Sequence, residues 1–487
     1  MSDVFDGLEP RQLWEIFRHI CAIPHGSKNE AALATYIEKI AMAHGCRVRR
    51  DNAGNICIYV KATAGCEHAP PIVLQAHLDM VCEKNETTNH DFLHDGIRCI
   101  RKGEWLTADG TTLGADNGIG VAAALALALS DQVRHGPIEI LLTVDEETGL
   151  TGAMGLDGDL FSGTMLINLD AENSSGVCIG CSGGGGVISQ IPINRERPKR
   201  GLVWHQLMLS GLRGGHSGMN IHEHRANALK VMAHLLSSIA LSYPLYLADL
   251  HGGDKHNAIP REARAYIGIE QRDILMIQKC IDTVFDRFKK EYPDETFLEI
   301  TLQRDCEPQT CLMQISMQKL IDLVLAFPHG VLGISRVMPG CVETSNNLSS
   351  IHINEDECII HNTPRSSCEL QLESVIEQIC AITKLASGRA ICEPTYPGWE
   401  PHPDSRLLRI YEDIYEKIYC ERPIREVIHA GLECGIIGKK KEGMDMISIG
   451  PDIQNCHSPY ETVFIPSVQK FWKLLCAMVE RIGTEVN

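Results

Sequence analysis

The 487 residues are enough for two globular domains, and 44% apolar with 22% charged residues is an ordinary globular composition. The 63 acidic residues outnumber the 45 basic ones, and the net charge of −18 argues against nucleic acid and membrane surfaces as partners. The longest apolar run is too short for a membrane span, and the start lacks the pattern of a signal peptide, so we expect a cytoplasmic protein with reduced, scattered cysteines.

The first part of the chain predicts two helices followed by two strands. Apolar residues recur at helical spacing from Pro10 to Ala22. Ser27 and Glu30 have the spacing of a capping box, which predicts a second helix at about 28–43. Short strands are then predicted at about 46–49 and 55–60.

An apolar run at 71–79 ends in His77 and, two residues later, Asp79. Such a run predicts a buried parallel strand, and ligands of open α/β sheets gather just beyond the carboxyl ends of parallel strands. His77 is therefore a candidate metal ligand. Side chains alternate along a strand, so Asp79 falls on the same side and can orient the imidazole. The alternative is a core strand that runs into a polar loop.

A polar connection follows at 82–115, and its length predicts a functional loop. The loop ends in Asp116, which has glycines close on either side and precedes an Ala- and Leu-rich helix. Glycines let the backbone approach whatever the carboxylate holds, and the two oxygens of one aspartate can bridge two cations. As an isolated feature, Asp116 would be interpreted as a helix N-cap.

Further carboxylates follow the next strands. Asp145, Glu146 and Glu147 come directly after the apolar run 138–144, and three adjacent carboxylates repel one another unless cations or protons relieve them. Adjacent residues of an extended chain point to opposite sides, so one of Glu146 and Glu147 is expected to ligate while the other moves protons. The same pattern recurs at Asp170 after 165–169 and at His457 after 446–450.

Together these side chains predict a site for two divalent cations. Two such cations carry four positive charges; Asp116, Glu147 and Asp170 balance three of them, and a bridging hydroxide would balance the fourth. Mixed imidazole and carboxylate ligands suit two Zn²⁺ per chain, with Co²⁺ or Mn²⁺ as substitutes. Paired metals of this kind generate a nucleophile and polarise a carbonyl.

The sequence around these residues resembles the co-catalytic zinc metallopeptidases of the M20 family, in blocks at 77–79, 114–118, 146–149 and 455–459. A closer likeness to a dipeptidase subgroup spans nearly the whole chain. Its blocks lie at 73–81, 110–120, 214–218, 257–262, 396–399 and 428–435.

The resemblance implies a role for each candidate residue. Glu146 would be the general base and acid that takes a proton from water and passes it to the leaving amine, and Asp79 would orient His77. Position 170 carries Asp, as in this subgroup, where many relatives have Glu. The implied metal ligands are the bridging Asp116, His77 and Asp170 at one metal, and Glu147 and His457 at the other.

The middle of the chain has a different pattern. It alternates strands with helices, so 187–395 is expected to be an inserted α+β lid or dimerisation domain with antiparallel strands. The flanking parts, 1–186 and 396–487, are expected to form an α/β catalytic domain whose mostly parallel central sheet is flanked by helices. Gly183–Gly186 and Tyr396–Trp399 are the expected hinges for lid closure. Strands are predicted at 203–209 and 263–270, and helices at 226–240 and 274–289.

Four further residues are expected to contact substrate. The resemblance implies that His216 donates a hydrogen bond to the tetrahedral oxyanion, with Asn257 nearby. A simple turn is the alternative for Asn257. The resemblance also makes Arg365 a candidate to bind the substrate carboxylate. Glu433 is expected either to bind the substrate α-amino group or to form a buried ion pair, whereas His222 and His224 are expected to be solvated or packed.

The resemblance implies a dipeptidase that hydrolyses unblocked dipeptides, including Xaa-His and β-alanyl-histidine types. A homodimer is compatible with the insertion, although an insertion of this size can also complete the site within one chain. The alternatives are an N-acyl amino acid deacylase of the same family and an inactive metal-dependent binding or scaffold protein. A thiol hydrolase using Cys434 is disfavoured because no known nucleophile motif surrounds that residue.

Overall fold

The computed structural model describes residues 4–485. Residues 1–3, at the start that lacks the pattern of a signal peptide, and residues 486–487, at the end of the predicted catalytic domain, lie outside the described residues. The chain divides into two compact units. Unit 1 comprises Met1–Gly180, Pro401–Val427 and Leu432–Asn487, and unit 2 comprises Cys181–Glu400 and Ile428–Gly431. The boundaries predicted from sequence, after 186 and before 396, differ from these, and the return of 428–431 to unit 2 was not predicted.

The helices are α1 (Arg11–Cys21), α2 (Ala31–Ala43), α3 (Ala115–Ala128), α4 (Glu146–Gly149), α5 (Thr151–Gly155), α6 (Ala228–Ala240), α7 (Ile274–Glu291), α8 (Gln314–Ala326), α9 (Glu369–Leu385), α10 (Arg406–Tyr419), α11 (Glu433–Lys440) and α12 (Ile465–Thr484).

The strands are β1 (Arg47–Arg50), β2 (Ile56–Val60), β3 (Ile72–His77), β4 (Cys99–Lys102), β5 (Trp105–Ala108), β6 (Ile138–Thr143), β7 (Met165–Asn168), β8 (Gly176–Cys181), β9 (Gly183–Gly184), β10 (Val187–Pro192), β11 (Arg195–Glu196), β12 (Leu202–Ser210), β13 (Gly215–His216), β14 (Tyr246–Gly252), β15 (Ala258–Ile259), β16 (Ala263–Glu270), β17 (Glu299–Arg304), β18 (Cys311–Leu312), β19 (Gly330–Ile334), β20 (Val342–Ile353), β21 (Glu357–Ser366), β22 (Arg389–Cys392), β23 (Ile424–Ile428), β24 (Asp445–Ser448), β25 (Ile453–Gln454) and β26 (Thr462–Phe464).

Unit 1 is built on an eight-stranded sheet with the order β1-β2-β6-β3-β7-β24-β8-β23. Its four central strands, β6, β3, β7 and β24, run parallel, whereas β1, β2 and β8 run antiparallel to their neighbours. Every residue of β3, β6 and β7 is buried, as expected for strands covered on both faces. The predicted parallel sheet is therefore confirmed for the central strands, whose carboxyl ends share one edge.

Helix α3 brings Asp116 to this edge. The helix packs on α1 and on β3, and its small Ala and Gly residues allow that close approach. Asp116 and Asn117 have non-helical φ/ψ angles of −81°/111° and −107°/28°, so the regular turns begin after them. Gly114, at φ +72°, turns the chain into the helix, and a Cβ there would lie 2.9 Å from the sulfur of Met80.

The polar connection at 82–115 is not wholly irregular. It contains the antiparallel pair β4 and β5, and β5 also pairs with β26 in a small sheet of order β25-β26-β5-β4. The segment that follows His457 is thereby tied to the segment that precedes Asp116.

Unit 2 is an antiparallel sheet with helices packed against it. The main strand order is β17-β12-β16-β14-β20-β21-β10-β22, and β19 and β9 pair with β20 and β21. Helices α6, α7, α8 and α9 bury an apolar core with this sheet. The predicted α+β character is confirmed. The side chain of Asn227 caps α6 by accepting from the amide of Leu229 at 2.9 Å, which explains why this helix begins later than predicted.

Among residues 4–485, none of the helices combines the length and apolar character needed to cross a bilayer.

Candidate metal centre

The five predicted ligands converge at the carboxyl edge of the central strands of unit 1. They form two groups, and within each group the ligand atoms all lie within 4.8 Å of one another. Asp116 belongs to both groups, which is the arrangement a bridging carboxylate requires. The groups are His77, Asp116 and Asp170, and Asp116, Glu147 and His457.

The two oxygens of Asp116 face different histidines. Nε2 of His77 lies 3.1 Å from Oδ1 of Asp116 and 3.2 Å from Oδ1 of Asp170. Nε2 of His457 lies 3.3 Å from Oδ2 of Asp116 and 3.0 Å from Oε2 of Glu147. Each imidazole therefore points its Nε2 at two carboxylates. The N-cap alternative for Asp116 is not observed, because its side chain turns to the histidines.

The donor set fits metal ions. Oε1 of Glu147 is buried and has no hydrogen-bond partner among the described residues, and Oδ1 of Asp170 is buried with the ring of His77 3.2 Å away. Such oxygens are costly unless a cation or a proton relieves them. Oxygen and imidazole donors together suit zinc and its borderline substitutes. The residues present therefore fit a pair of divalent cations.

The ionisation of the carboxylates supports the same conclusion. Burial raises the pKa of Glu146 well above its ordinary value, and the charges of Asp170 and Glu147 add to the effect. Burial also raises the pKa of Asp170 to about 6, against the opposing charge of His77. Burial raises the pKa of Glu147, and the negative charge of Asp116 raises it further. Negative charge is therefore crowded here, and cations would relieve it.

The histidines respond in the opposite sense. Burial acts to lower the pKa of His77, but the carboxylates of Asp170 and Asp116 outweigh it and raise that pKa well above the ordinary value. Hydrogen bonds that the ring donates to the carboxylates of Asp116 and Glu147 raise the pKa of His457 to about 11. Both rings therefore face negative charge at the place where a metal ion would bind.

Asp79 contacts both the ring and the turn that carries the glutamates. Nδ1 of His77 donates to the backbone carbonyl of Asp79 at 3.0 Å, and the carboxylate Oδ1 lies 3.5 Å from the same nitrogen. Since a carbonyl only accepts, Nδ1 carries the proton and Nε2 faces the other carboxylates. Oδ1 and Oδ2 of Asp79 accept from the amides of Glu146 and Glu147 at 2.9 and 3.1 Å.

The predicted extended geometry at Glu146 and Glu147 is wrong. Asp145 is left-handed at φ +51°, and Glu146 begins the helical turn α4. The hydroxyls of Thr148 and Thr151 donate to the Asp145 carboxylate and hold this turn. Ligand atoms of His77, Glu146 and Glu147 consequently lie within 4.8 Å of one another, so the two glutamates share one site.

The predicted capping box is also wrong. Glu30, not Ser27, is the residue before α2, and no side-chain cap is formed. The hydroxyl of Ser27 donates to Oδ2 of Asp79 at 2.8 Å, and Oε1 of Glu30 accepts from the amide of Asp145 at 2.9 Å. Both side chains therefore support the glutamate turn.

Two supporting residues were missed from sequence. Asn117 accepts from the amide of His77 at 3.2 Å and donates to the carbonyl of Leu169 at 2.8 Å, which joins two strand ends. Glu461 accepts the amides of the loop that carries Asp116. The available signal for Glu461 was a carboxylate directly before the apolar strand β26.

Glu433 is fully buried in unit 1. Its Oε2 accepts from Gln75 Nε2 and Thr143 Oγ1, both at 2.6 Å, while Oε1 has no hydrogen-bond partner among the described residues. Burial raises the pKa of Glu433 to about 8. Gln75 and Thr143 are neutral, so these contacts do not form the ion pair considered from sequence.

In unit 2, His216 has a defined tautomer. Its Nδ1 accepts from the amides of Gly218 and Met219 at 3.2 and 3.0 Å, so the proton is on Nε2 and that nitrogen is a donor. The strand pair β13 and β15 places Ala258 opposite His216. Asn257 is exposed in the adjoining turn, and its backbone carbonyl accepts a hydrogen bond from the backbone amide of Ser217 at 2.8 Å. His222 and His224 are exposed.

Arg365 lies buried on β21 in unit 2. Its Nη1 donates to the hydroxyl of Tyr396 at 2.8 Å, and its Nε has no hydrogen-bond partner among the described residues. His429 lies close enough that burial, followed by the charges of Arg365 and His222, lowers the pKa of His429 to about 3. Arg365 thus places a buried guanidinium in unit 2, which favours an anionic group.

Comparisons with known proteins match these observations. Residues 73–481 match the pattern of peptidase family M20/M25/M40. The chain is 41% identical over 476 residues to the cytosol non-specific dipeptidase of Escherichia coli, covering 98% of each chain. Its fold is similar to that of aminoacylhistidine dipeptidase from Vibrio alginolyticus, with a TM-score of 0.91, 40% identity and coverage of 99% and 98%. Aminopeptidase PepT from Bacillus cereus matches in fold alone, with a TM-score of 0.57, 17% identity and coverage of 98% and 100%.

Proposed function

Because the chain belongs to peptidase family M20/M25/M40, a family of metal-binding peptidases, we propose that it is a dipeptidase that hydrolyses unblocked dipeptides. The observation that carries this proposal is the pair of ligand groups that share Asp116, with Glu146 beside them. The relatives named as dipeptidases match almost the full chain, which supports the same substrate class.

Two Zn²⁺ ions are the proposed cofactors, with Co²⁺ or Mn²⁺ as substitutes. Asp116 would hold both, His77 and Asp170 would hold one, and Glu147 and His457 the other. When bound, the pair would polarise the peptide carbonyl and lower the pKa of water.

Glu146 is the proposed general base and acid. Its carboxylate takes a proton from the attacking water and gives it to the leaving amine. A pKa raised above the ordinary carboxylate value suits this role, because it makes Glu146 a stronger proton acceptor. The backbone amide of Glu146 donates a hydrogen bond to Oδ1 of Asp79, which holds the turn and keeps the Glu146 carboxylate in reach of the site.

The remaining residues are proposed to recognise the substrate. His216 donates from Nε2 to the oxyanion, with Asn257 beside it, and the hydrogen bonds on its Nδ1 favour that tautomer. Arg365 binds the substrate carboxylate. Glu433 binds the free α-amino group through Oε1. Xaa-His and β-alanyl-histidine dipeptides are the proposed substrates, consistent with the name of the Vibrio relative.

The proposal extends to the setting of the enzyme. The E. coli relative is named for the cytosol, and we place this chain there too. Unit 2 is proposed as the lid, which also offers a surface for a homodimer. Sedimentation equilibrium of the purified protein will test the dimer directly.

A substrate panel tests the function. Purified protein is assayed with Ala-His, β-Ala-His and N-acetyl-Ala-His, before and after a chelator and again after Zn²⁺ is returned. We expect cleavage of both free dipeptides, loss with chelator, recovery with Zn²⁺, and little cleavage of the acetylated substrate. Preference for the acetylated substrate would instead identify a deacylase. Metal binding without cleavage of any of the three would identify a binding protein.

A further inference from the structure

Glu461 makes an unusual set of contacts in unit 1. It is only 2% exposed, and its two carboxylate oxygens accept four consecutive backbone amides. Oε2 accepts from Leu113 and Gly114 at 2.6 and 3.0 Å, and Oε1 accepts from Ala115 and Asp116 at 2.8 and 3.3 Å. One side chain therefore satisfies every amide of the turn that leads into Asp116.

The backbone of Glu461 is held as firmly as its side chain. Its amide donates to the carbonyl of Ser458 at 3.0 Å, which closes the turn next to His457. Its carbonyl accepts from the hydroxyl of Thr107 on β5 at 2.8 Å. His457 is itself in the left-handed region at φ +61°, a conformation that persists only where the surroundings hold it.

We propose that Glu461 is a positioning residue that holds the loop of Asp116 and the loop of His457 in the relative placement that a two-metal site needs. The proposal rests on the proposed metallopeptidase function. These two residues approach from chain segments more than 300 positions apart, with His457 Nε2 and Asp116 Oδ2 separated by 3.3 Å. Glu461 connects them through the backbone on both sides, so it fixes this distance without touching a metal ion.

Glu461→Gln tests the proposal because it keeps the size but changes the acceptors. The amide nitrogen of Gln carries hydrogens, so it would face two of the four N–H groups and leave them without an acceptor. Glu461→Asp keeps the charge and both oxygens but is shorter. The matched control is Glu139→Gln: Glu139 is also buried and accepts the amides of Ser162 and Gly163, both at 2.7 Å, at the opposite end of β6.

Three measurements report on metal binding and on the order of the Asp116 loop. The first is Zn²⁺ affinity of the metal-free proteins, by competition with a chromophoric chelator. The second is the visible spectrum of the Co²⁺-loaded proteins, which reports ligand geometry. The third is amide hydrogen exchange of residues 113–116 in the metal-free proteins. Thermal unfolding of each variant controls for loss of fold.

For E461Q we expect Zn²⁺ affinity to fall roughly 10- to 100-fold, the range seen when residues that orient metal ligands are replaced. The Co²⁺ spectrum should change and exchange at 113–116 should accelerate. E461D should bind with intermediate affinity, and it remains informative if E461Q does not fold. E139Q should keep wild-type affinity and spectrum even if it lowers stability.

Wild-type Zn²⁺ affinity in E461Q or in E461D would overturn the proposal. A loss of Zn²⁺ affinity in E139Q equal to that in E461Q would also overturn it, because it would indicate general destabilisation. Dipeptide cleavage by the wild-type preparation is measured in parallel. Tight binding of two Zn²⁺ without cleavage would count against the proposed function and leave the positioning role intact.

Discussion

Replacing Asp79 by Asn probes the support of the whole metal centre. The Asp79 carboxylate accepts from the amides of Glu146 and Glu147 and from the hydroxyl of Ser27, at 2.9, 3.1 and 2.8 Å. Asn retains one acceptor oxygen, and its NH₂ group must face at least one of these donors. A buried N–H without an acceptor costs about 1–3 kcal/mol.

The ionisation of Asp79 provides a second measure of the same contacts. Burial acts to raise the pKa of Asp79. The hydrogen bond and charge of His77, together with the hydrogen bond from the amide of Glu146, outweigh burial and lower this pKa to about 2. This lies about two units below the ordinary value, which corresponds to about 2–3 kcal/mol. A lowered folded pKa stabilises the protein above about pH 4, and this contribution is lost as pH falls through about 2. Replacement by Asn removes this stabilising contribution at neutral pH.

Denaturant unfolding at pH 7 of the metal-free wild type and D79N should therefore differ by about 2–3 kcal/mol. Dipeptidase activity of the zinc-loaded variant should fall roughly 10- to 100-fold, because His77 and both glutamates lose their support. The matched control is Asp51→Asn, since Asp51 accepts the amides of Ala53, Gly54 and Asn55 at 3.0, 3.0 and 2.9 Å. D51N should lose stability and keep activity. A D79N protein with stability within about 0.5 kcal/mol of the wild type and unchanged activity would refute this reasoning.

Three further predictions concern the ligands and the substrate residues. Asp116→Ala should reduce the zinc content from about two ions to less than one per chain, whereas His457→Ala should retain about one, as measured by elemental analysis. An equal loss of zinc in both variants would contradict a bridging Asp116. Arg365→Ala should raise KM for free dipeptides roughly 10- to 100-fold with little change in kcat, consistent with loss of an ion pair to the substrate carboxylate; an unchanged KM would exclude that contact. Glu433→Gln should change the pH dependence of stability, because the pKa of Glu433 is raised to about 8. The wild-type contribution is full below about pH 4 and is lost as pH rises to about 8. The stability of E433Q relative to the wild type should therefore increase by about 3–4 kcal/mol between pH 5 and 8; parallel unfolding profiles would contradict the assignment.

The sequence was informative wherever an apolar strand ends in a side chain with metal-binding chemistry. His77 is the last residue of a buried parallel strand, Glu147 and Asp170 come after two others, and parallel strands bring their carboxyl ends to one edge. Their convergence was therefore accessible from local pattern and sheet geometry. The assignment of each residue as a ligand remains a prediction for the experiments above.

The supporting contacts were not accessible in this way, because they join distant segments through the backbone. Ser27 has the spacing of a helix cap, yet its hydroxyl binds Asp79, 52 positions away. The carboxylate of Glu461 accepts hydrogen bonds from amides 345 to 348 positions earlier in the chain. The left-handed turn at Asp145 replaced the extended geometry that strand periodicity predicted. Local spacing cannot distinguish these long-range partners from nearer ones.

The most direct test of the account is Glu146→Gln, with metal content and dipeptide turnover measured in the same preparation. Glu146 is proposed to move the proton and not to hold the cations. The variant should therefore keep about two Zn²⁺ per chain while kcat falls roughly 10²- to 10⁴-fold. Turnover at the wild-type rate, or loss of the metal ions together with activity, would contradict it.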